Sequence, residues 1–311
     1  MKTESAPFSQ QAGNFIVVRD AAVSMAFSPD LQILASGTSD GIVRLRRVAD
    51  GSLLGEVRGW GSTHAVTSLA FSPDGQRLAY GSENGALRLC SVAHGYSDAR
   101  LLLVLYGHSG AITGLAFSRD GRFLFSGAID GLINLWQTEG KNEEESRLRK
   151  MLDGNRPILG LALSPDEQAL AIGVDDEKVS AYLWQIKNNT ISSILEIQCG
   201  GEFWGGLAFS PDGQMLAVGL DYGLILWPVA KVQRSYNIEG LKQRLVTHVS
   251  FSPDGRFLAS GSKDGTVMLC NVESGETWCI LSKGAPVRSL AFSPDGKTLA
   301  VGVGEPPRVA R

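Results

Sequence analysis

The feature that most constrains this chain is a short phrase written seven times. "AFSPD" ends at Asp30, "AFSPDG" at Gly75, "AFSRDG" at Gly121, "ALSPDE" at Glu167, "AFSPDG" at Gly213, "SFSPDG" at Gly255 and "AFSPDG" at Gly296. Counted between Phe27, Phe71, Phe117, Leu163, Phe209, Phe251 and Phe292, the steps are 44, 46, 46, 46, 42 and 41 residues. Each copy contains a turn with a physical mechanism. Proline at the second place of S-P-D-G presets φ near about −65°, aspartate suits the third place, and glycine accepts the positive φ that closes a hairpin. Strands must flank such a turn.

The second repeat divides into four of them: "AVTSLAFS", "RLAYGS" after the turn, "ALRLCSV" after a second turn "ENG", and "RLLLVLYG". Leu87-Arg88-Leu89, Val43-Arg44-Leu45 and Ile133-Asn134-Leu135 alternate apolar and polar with period two, which predicts half-buried strands. No helix-period stripe competes with that pattern. A sheet of four short strands cannot cover its own apolar faces, so neighbouring sheets have to stack around an axis, and a repeat of this length is that of propeller blades. The expected fold is all-β: a seven-bladed β-propeller of four-stranded antiparallel blades, residues 14–311, behind a tail of residues 1–13. Because the array spans nearly all of the 311 residues, one closed domain is expected rather than two.

The segment "YGHSGAITGLAFSRDGRFLFSGAIDGLINLW", residues 106–136, resembles the WD-repeat β-propeller family most closely. It carries a Gly-His pair (Gly107, His108), a Ser in the second strand (Ser126), a tight-turn Asp-Gly (Asp130, Gly131) and a closing Leu-Trp (Leu135, Trp136). The resemblance implies a buried hydrogen-bond network of His108, Ser126, Asp130 and Trp136. Other copies depart from it. Trp184 and Trp227 keep the closing Trp, Cys90 and Cys270 replace it elsewhere, and only the third copy keeps the His. Asp40, Asp176 and Asp264 still hold the turn position, with Asn84 in the second copy. Blades without the full set are expected to rest mainly on apolar packing. The seventh copy supplies "PVRSLAFS" and "TLAVGV" and then only "PRVAR", whereas "NFIVVRD" precedes the first full repeat as an extra strand. In this family the N-terminal strand completes the last blade, so ring closure by residues 14–20 is expected here, and the irregular last copy reads as a piece of something longer.

Little in the sequence points to chemistry. His108, Ser126 and Asp130 have the composition of a hydrolase triad, yet no G-x-S-x-G elbow accompanies them. His64, His94 and His248 are scattered, and Cys90, Cys199, Cys270 and Cys279 form no C-x-x-C pair, so no metal, no cofactor and no catalytic residue is expected. The cysteines read as buried free thiols. The acids of "VDDEK" (Asp175, Asp176, Glu177) read as solvated turn residues, and "GKNEEESRLRK", residues 140–150, as a charged insertion between the third and fourth strands of blade three. Net charge of −3 with mixed signs gives no general pull toward nucleic acid or anionic membrane, and the N-terminus has no apolar run suited to a signal peptide. A soluble, cytoplasmic protein is expected.

Function should then lie on loops held by the rigid ring. The resemblance implies that partners dock on the face carrying the loops between blades and the loops joining second and third strands. Residues just before the first strand's apolar anchor project there: Ala22, Ala65, Ala111, Pro157, Phe203, Leu245 and Pro286. So do residues preceding the turn Asp: Ser39, Glu83, Ile129, Asp175, Asp221 and Lys263, with Gly304 at the irregular last turn. Phe203 and Leu245 are the large apolar members of the first set. They predict a protein- or peptide-binding patch over blades five and six, rimmed by Asp221 and Lys263 and continued by Ile129, Glu83 and Asp175. The reading is a non-enzymatic protein–protein interaction scaffold. Its rivals are a sensor module of a larger signalling or ATPase system, and a propeller hydrolase, which would need acid–base side chains converging on the central channel.

Overall fold

The computed structural model describes residues 14–19, 22–58, 64–92, 99–139, 147–153, 156–176, 181–187, 190–197, 203–229, 236–238, 244–281 and 284–304. Its regular structure is all strand. The first, β1 (Asn14–Val18), stands apart from the repeats. Blade one is β2 (Ala22–Phe27), β3 (Ile33–Thr38), β4 (Ile42–Arg47) and β5 (Leu53–Arg58). Blade two is β6 (Val66–Phe71), β7 (Arg77–Ser82), β8 (Leu87–Ser91) and β9 (Arg100–Leu105), and blade three is β10 (Ile112–Phe117), β11 (Phe123–Ala128), β12 (Leu132–Gln137) and β13 (Arg147–Asp153). Blade four comprises β14 (Ile158–Leu163), β15 (Ala169–Val174), β16 (Ala181–Lys187) and β17 (Thr190–Ile197); blade five, β18 (Phe203–Phe209), β19 (Met215–Leu220), β20 (Gly223–Pro228) and β21 (Tyr236–Asn237). Blade six holds β22 (Val246–Phe251), β23 (Phe257–Ser262), β24 (Val267–Asn271) and β25 (Thr277–Leu281), and blade seven β26 (Val287–Phe292) and β27 (Thr298–Val303). No helix among the described residues is long and apolar enough to cross a membrane.

Six sheets are four-stranded and antiparallel in chain order; the seventh has the order β1-β27-β26. First strands pack on one another in succession from β2 through β6, β10, β14, β18 and β22 to β26, and β26 packs on β2. That cycle closes the ring and places the seven first strands around the axis. The N-terminal strand does complete the last blade, but the blade is three-stranded. β1 pairs directly with β27 and runs parallel to it, from Asn14↔Thr298 to Val18↔Gly302. Elsewhere a third strand antiparallel to the second occupies that place. β1 contributes to both neighbours: Phe15 packs into the core shared with blade six, Val18 and Ile16 into that shared with blade one.

The seven S-P-D-G copies fold alike. In each, the Asp carboxylate accepts from the Ser hydroxyl two residues earlier and from the amide two residues later, as Asp74 does from Ser72 and Gln76. The Ser oxygen accepts the amide that opens the second strand, as in Arg77 to Ser72 at 2.9 Å. Gly75, Gly121, Gly213, Gly255 and Gly296 have φ between 68° and 72°, whereas Leu31 and Glu167 hold the same conformation with side chains.

Two expectations are corrected. The alternating third strands are covered on both faces: Val43, Leu45, Leu87, Leu89, Ile133 and Leu135 are buried, and so are Arg88 and Asn134 between them. Each such strand lies inside a blade whose two faces are sealed by neighbouring blades, so period two here records which neighbour a side chain meets rather than core against water. The charged run that follows the third strand of blade three is not all insertion, because from Arg147 onward it is the blade's outer strand β13; residues 140–146 lie outside the described residues.

Candidate functional site

Blade three contains a closed polar network. The His108 Nδ1–H donates to Asp130, 3.2 Å from Oδ1, which fixes the tautomer so that Nε2 accepts from the Ser126 hydroxyl at 2.7 Å. The Ser126 oxygen in turn accepts from Trp136 Nε1 at 2.8 Å. Asp130 also takes the amides of Ser109 and Leu132, at 2.7 and 3.0 Å, tying the loop before the blade to the turn after its second strand. Ser126, Trp136 and Asn134 are fully buried, and the His108 side chain is sealed. With both hydroxyl valences committed inside a blade, Ser126 is a bracket between strands and has no open side for a substrate.

In blades four and five Ile172 and Val218 stand where blade three has Ser126, and Trp184 Nε1 and Trp227 Nε1 are buried without a partner. Blades one and six show the converse: the Ser36 and Ser260 hydroxyls are buried and unpartnered, and Arg46 and Cys270 stand at the place of Trp136. These blades are held by apolar contact. Burial pushes the Cys90 thiol up to about 12, with Arg88 opposing weakly, and the Cys270 thiol to about 11, so neither is a nucleophile near neutral pH. The Cys199 and Cys279 side chains lie outside the described residues.

The two sets of rim positions lie side by side through a repeated backbone bond. The amide of Glu83 donates to Ala65 O at 3.0 Å, Ile129 to Ala111 at 3.0 Å, Asp175 to Pro157 at 3.2 Å, Lys263 to Leu245 at 3.1 Å and Gly304 to Pro286 at 3.4 Å. Glu83, Asp175, Asp221 and Lys263 are exposed, Ile129 is 45% exposed, and Leu245 is half-buried. Ala22 departs from the expected pattern. It pairs with Thr38 in the register where Val66 pairs with Ser82, so it is the buried anchor of its strand and not a projecting residue. Phe203 pairs with Leu220, but it stands four residues before Leu207 where Val66 stands three before Leu69 and Ala22 three before Met25, so it is one place further out than those anchors; its side chain lies outside the described residues.

Sequence reading passed over two residues at the axis. Counted back four from Phe27, Phe71, Phe117, Leu163, Phe209, Phe251 and Phe292, the second place of the first strand holds Val23, Thr67, Thr113, Leu159, Gly205, Thr247 and, in blade seven, Arg288. Thr67, Thr113 and Thr247 use it to donate to the carbonyl of the next blade's anchor, as Thr247 does to Val287 O at 3.1 Å. The third residue is Ser, Gly or, in blade six, His248. Stacking the seven first strands would have exposed both, since each is the one ionisable side chain at its place. Burial, reinforced by the positive charge of Arg288, holds the His248 imidazole down to about 4. Desolvation likewise lowers the Arg288 guanidinium from its ordinary value.

Two family models match the chain. The WD domain, G-beta repeat, matches residues 99–137 and 278–305, and the anaphase-promoting complex subunit 4 WD40 domain matches residues 25–101 and 207–283. No curated protein matches it. Propellers with these repeats typically mediate contacts between proteins and are generally non-enzymatic. Seven in-phase repeats fold as seven blades, and the matched repeats fall on both sides of the ring, so the chain belongs to the WD-repeat family of β-propellers.

Proposed function

We propose that residues 14–311 form a non-enzymatic scaffold that holds a partner protein or peptide on the face carrying the inter-blade loops and the turns between second and third strands. Phe203 and Leu245 are the apolar anchors over blades five and six, Asp221 and Lys263 rim them, and Ile129, Glu83 and Asp175 continue the surface. The observation supporting this reading most directly is the row of backbone bonds that fixes Glu83, Ile129, Asp175 and Lys263 outward beside the starts of the first strands, with a large aliphatic side chain exposed among charges. Interfaces concentrate their energy in a few apolar anchors, each worth about 2 kcal/mol or more when it is a hot spot.

The test is affinity capture with quantitative mass spectrometry on three chains: unmodified, a Phe203→Asp, Leu245→Asp double variant, and Ile129→Asp. Circular dichroism checks that each is folded. A protein retained by the unmodified chain and depleted at least tenfold by the double variant supports the patch. Identical capture by all three removes it.

A further inference from the structure

The neighbouring first strands of blades six and seven carry the two ionisable side chains that the described first strands place at the axis, His248 on β22 and Arg288 on β26. The third position of a first strand faces the next blade: a Cβ on Gly206 would lie 3.4 Å from the backbone of His248. His248, at the same position of β22, therefore faces β26. Its Nδ1 is 3.1 Å from Thr247 Oγ1, and that hydroxyl donates onward to Val287 O, the residue before Arg288. Nδ1 thus carries the proton toward Thr247, and Nε2 is left as the free end of the ring.

Arg288 differs from the other arginines near the inter-blade loops. Arg156 pairs with Asp176, and Arg244 pairs with Asp264 at 2.7 Å. Arg288 has no carboxylate within ion-pair distance and no hydrogen-bond acceptor among the described residues, and its Nε is buried without a partner. β18, β19, β23 and β27 contain no ionisable residue, so Arg288 on β26 is the only charge carried by the strands around His248. Arg288 is half-buried, so its guanidinium is only partly removed from water; its Nε is sealed from water and meets no acceptor among the described residues, and the planar fork matches an oxyanion that would supply one. Among the Val, Thr, Leu and Gly of the same ring, it is an uncompensated positive charge on an otherwise uncharged wall.

We infer that Arg288 and His248 form an anion site at the axis between blades six and seven, taking a small oxyanion, a carboxylate or a phosphate group, on the guanidinium with the imidazole beside it. The inference does not depend on a protein docking on the rim. A bound anion also supplies the charge that lets the imidazole take up a proton at Nε2, giving the ligand a second donor.

The probes are sodium phosphate and sodium acetate, titrated separately into the folded chain at constant ionic strength while the imidazole resonances of His248, assigned with a His248→Gln variant, are followed by NMR. The expected result is a saturable shift with at least one probe, unchanged in Arg244→Met and lost in Arg288→Met. Response to phosphate alone assigns a phosphoryl group, response to acetate alone a carboxylate, and response to both the shared oxyanion chemistry. Arg288→Lys keeps the charge and the apolar stem but not the fork, and is expected to bind at least about tenfold more weakly. It serves as the second variant if Arg288→Met does not fold. No saturable shift up to ~10 mM probe, or undiminished binding in the Arg288 variants, overturns the inference.

Discussion

At the residue scale, two departures from the repeated turn explain each other. Blade three has Arg119 where the other copies have Pro, which restores an amide N–H, and blade four has Glu167 where most copies have Gly. The Glu167 carboxylate accepts the Arg119 amide across the blade boundary. In blade one Leu31 holds φ of 63° without any such contact. Left-handed backbone costs a side-chain-bearing residue about 1–2 kcal/mol, so Leu31→Gly is expected to stabilise by about 1 kcal/mol in urea unfolding, and Glu167→Gly by less because it gives up the bond. A second contrast concerns the buried hydroxyls. Ser126→Ala strands His108 and Trp136 and should destabilise by about 2 kcal/mol, whereas Ser260→Ala removes an unpartnered group and should be neutral or stabilising. Equal losses in both variants would contradict this account of the blades.

At the element scale, β1 is the closure of the ring and also its weakest joint. Its direction is that of an outer strand, since a strand two places from β27 in an antiparallel blade runs parallel to it, yet β1 lies immediately beside β27. Val17 is 36% exposed, whereas Val43, Leu45, Leu87 and Leu89, on strands in that same place, are not exposed at all. β1 still seals the apolar flank of both neighbours through Phe15 and Val18. Deleting residues 1–19 is therefore expected to lower the melting temperature by several degrees or more, with β26 and β27 losing amide protection first in hydrogen exchange. An unchanged melting temperature would contradict closure by this strand.

At the scale of the whole molecule, stability should fall with acid in two stages. Folding holds His248 at about 4 against an ordinary value near 6.5, so the unfolded chain binds the proton first and stability declines as pH falls from about 6.5 to about 4. Asp120, Asp166, Asp212 and Asp295 are held below their ordinary 3.8, chiefly by the Ser hydroxyl of the same turn and then by the amide two residues on. Their contribution is present above that value and is lost as pH falls through the lower folded ones. Melting curves from pH 7.5 to 3 should show both stages in the unmodified chain, and only the second in His248→Gln. The sequence alone determined the number of blades, the turn in each and the cut of the full repeats into four strands, because these depend on local spacing and on turn chemistry that recurs in phase; the blade-three network was implied by the family resemblance of residues 106–136. Only the tertiary structure decided that the alternating third strands are covered on both faces, that Ala22 is an anchor, that β1 lies beside β27, and that the strands bearing His248 and Arg288 are neighbours at the axis. Each of those depends on which blade covers which and on the inter-strand register, and residues 40 apart in the chain become neighbours only when the ring closes.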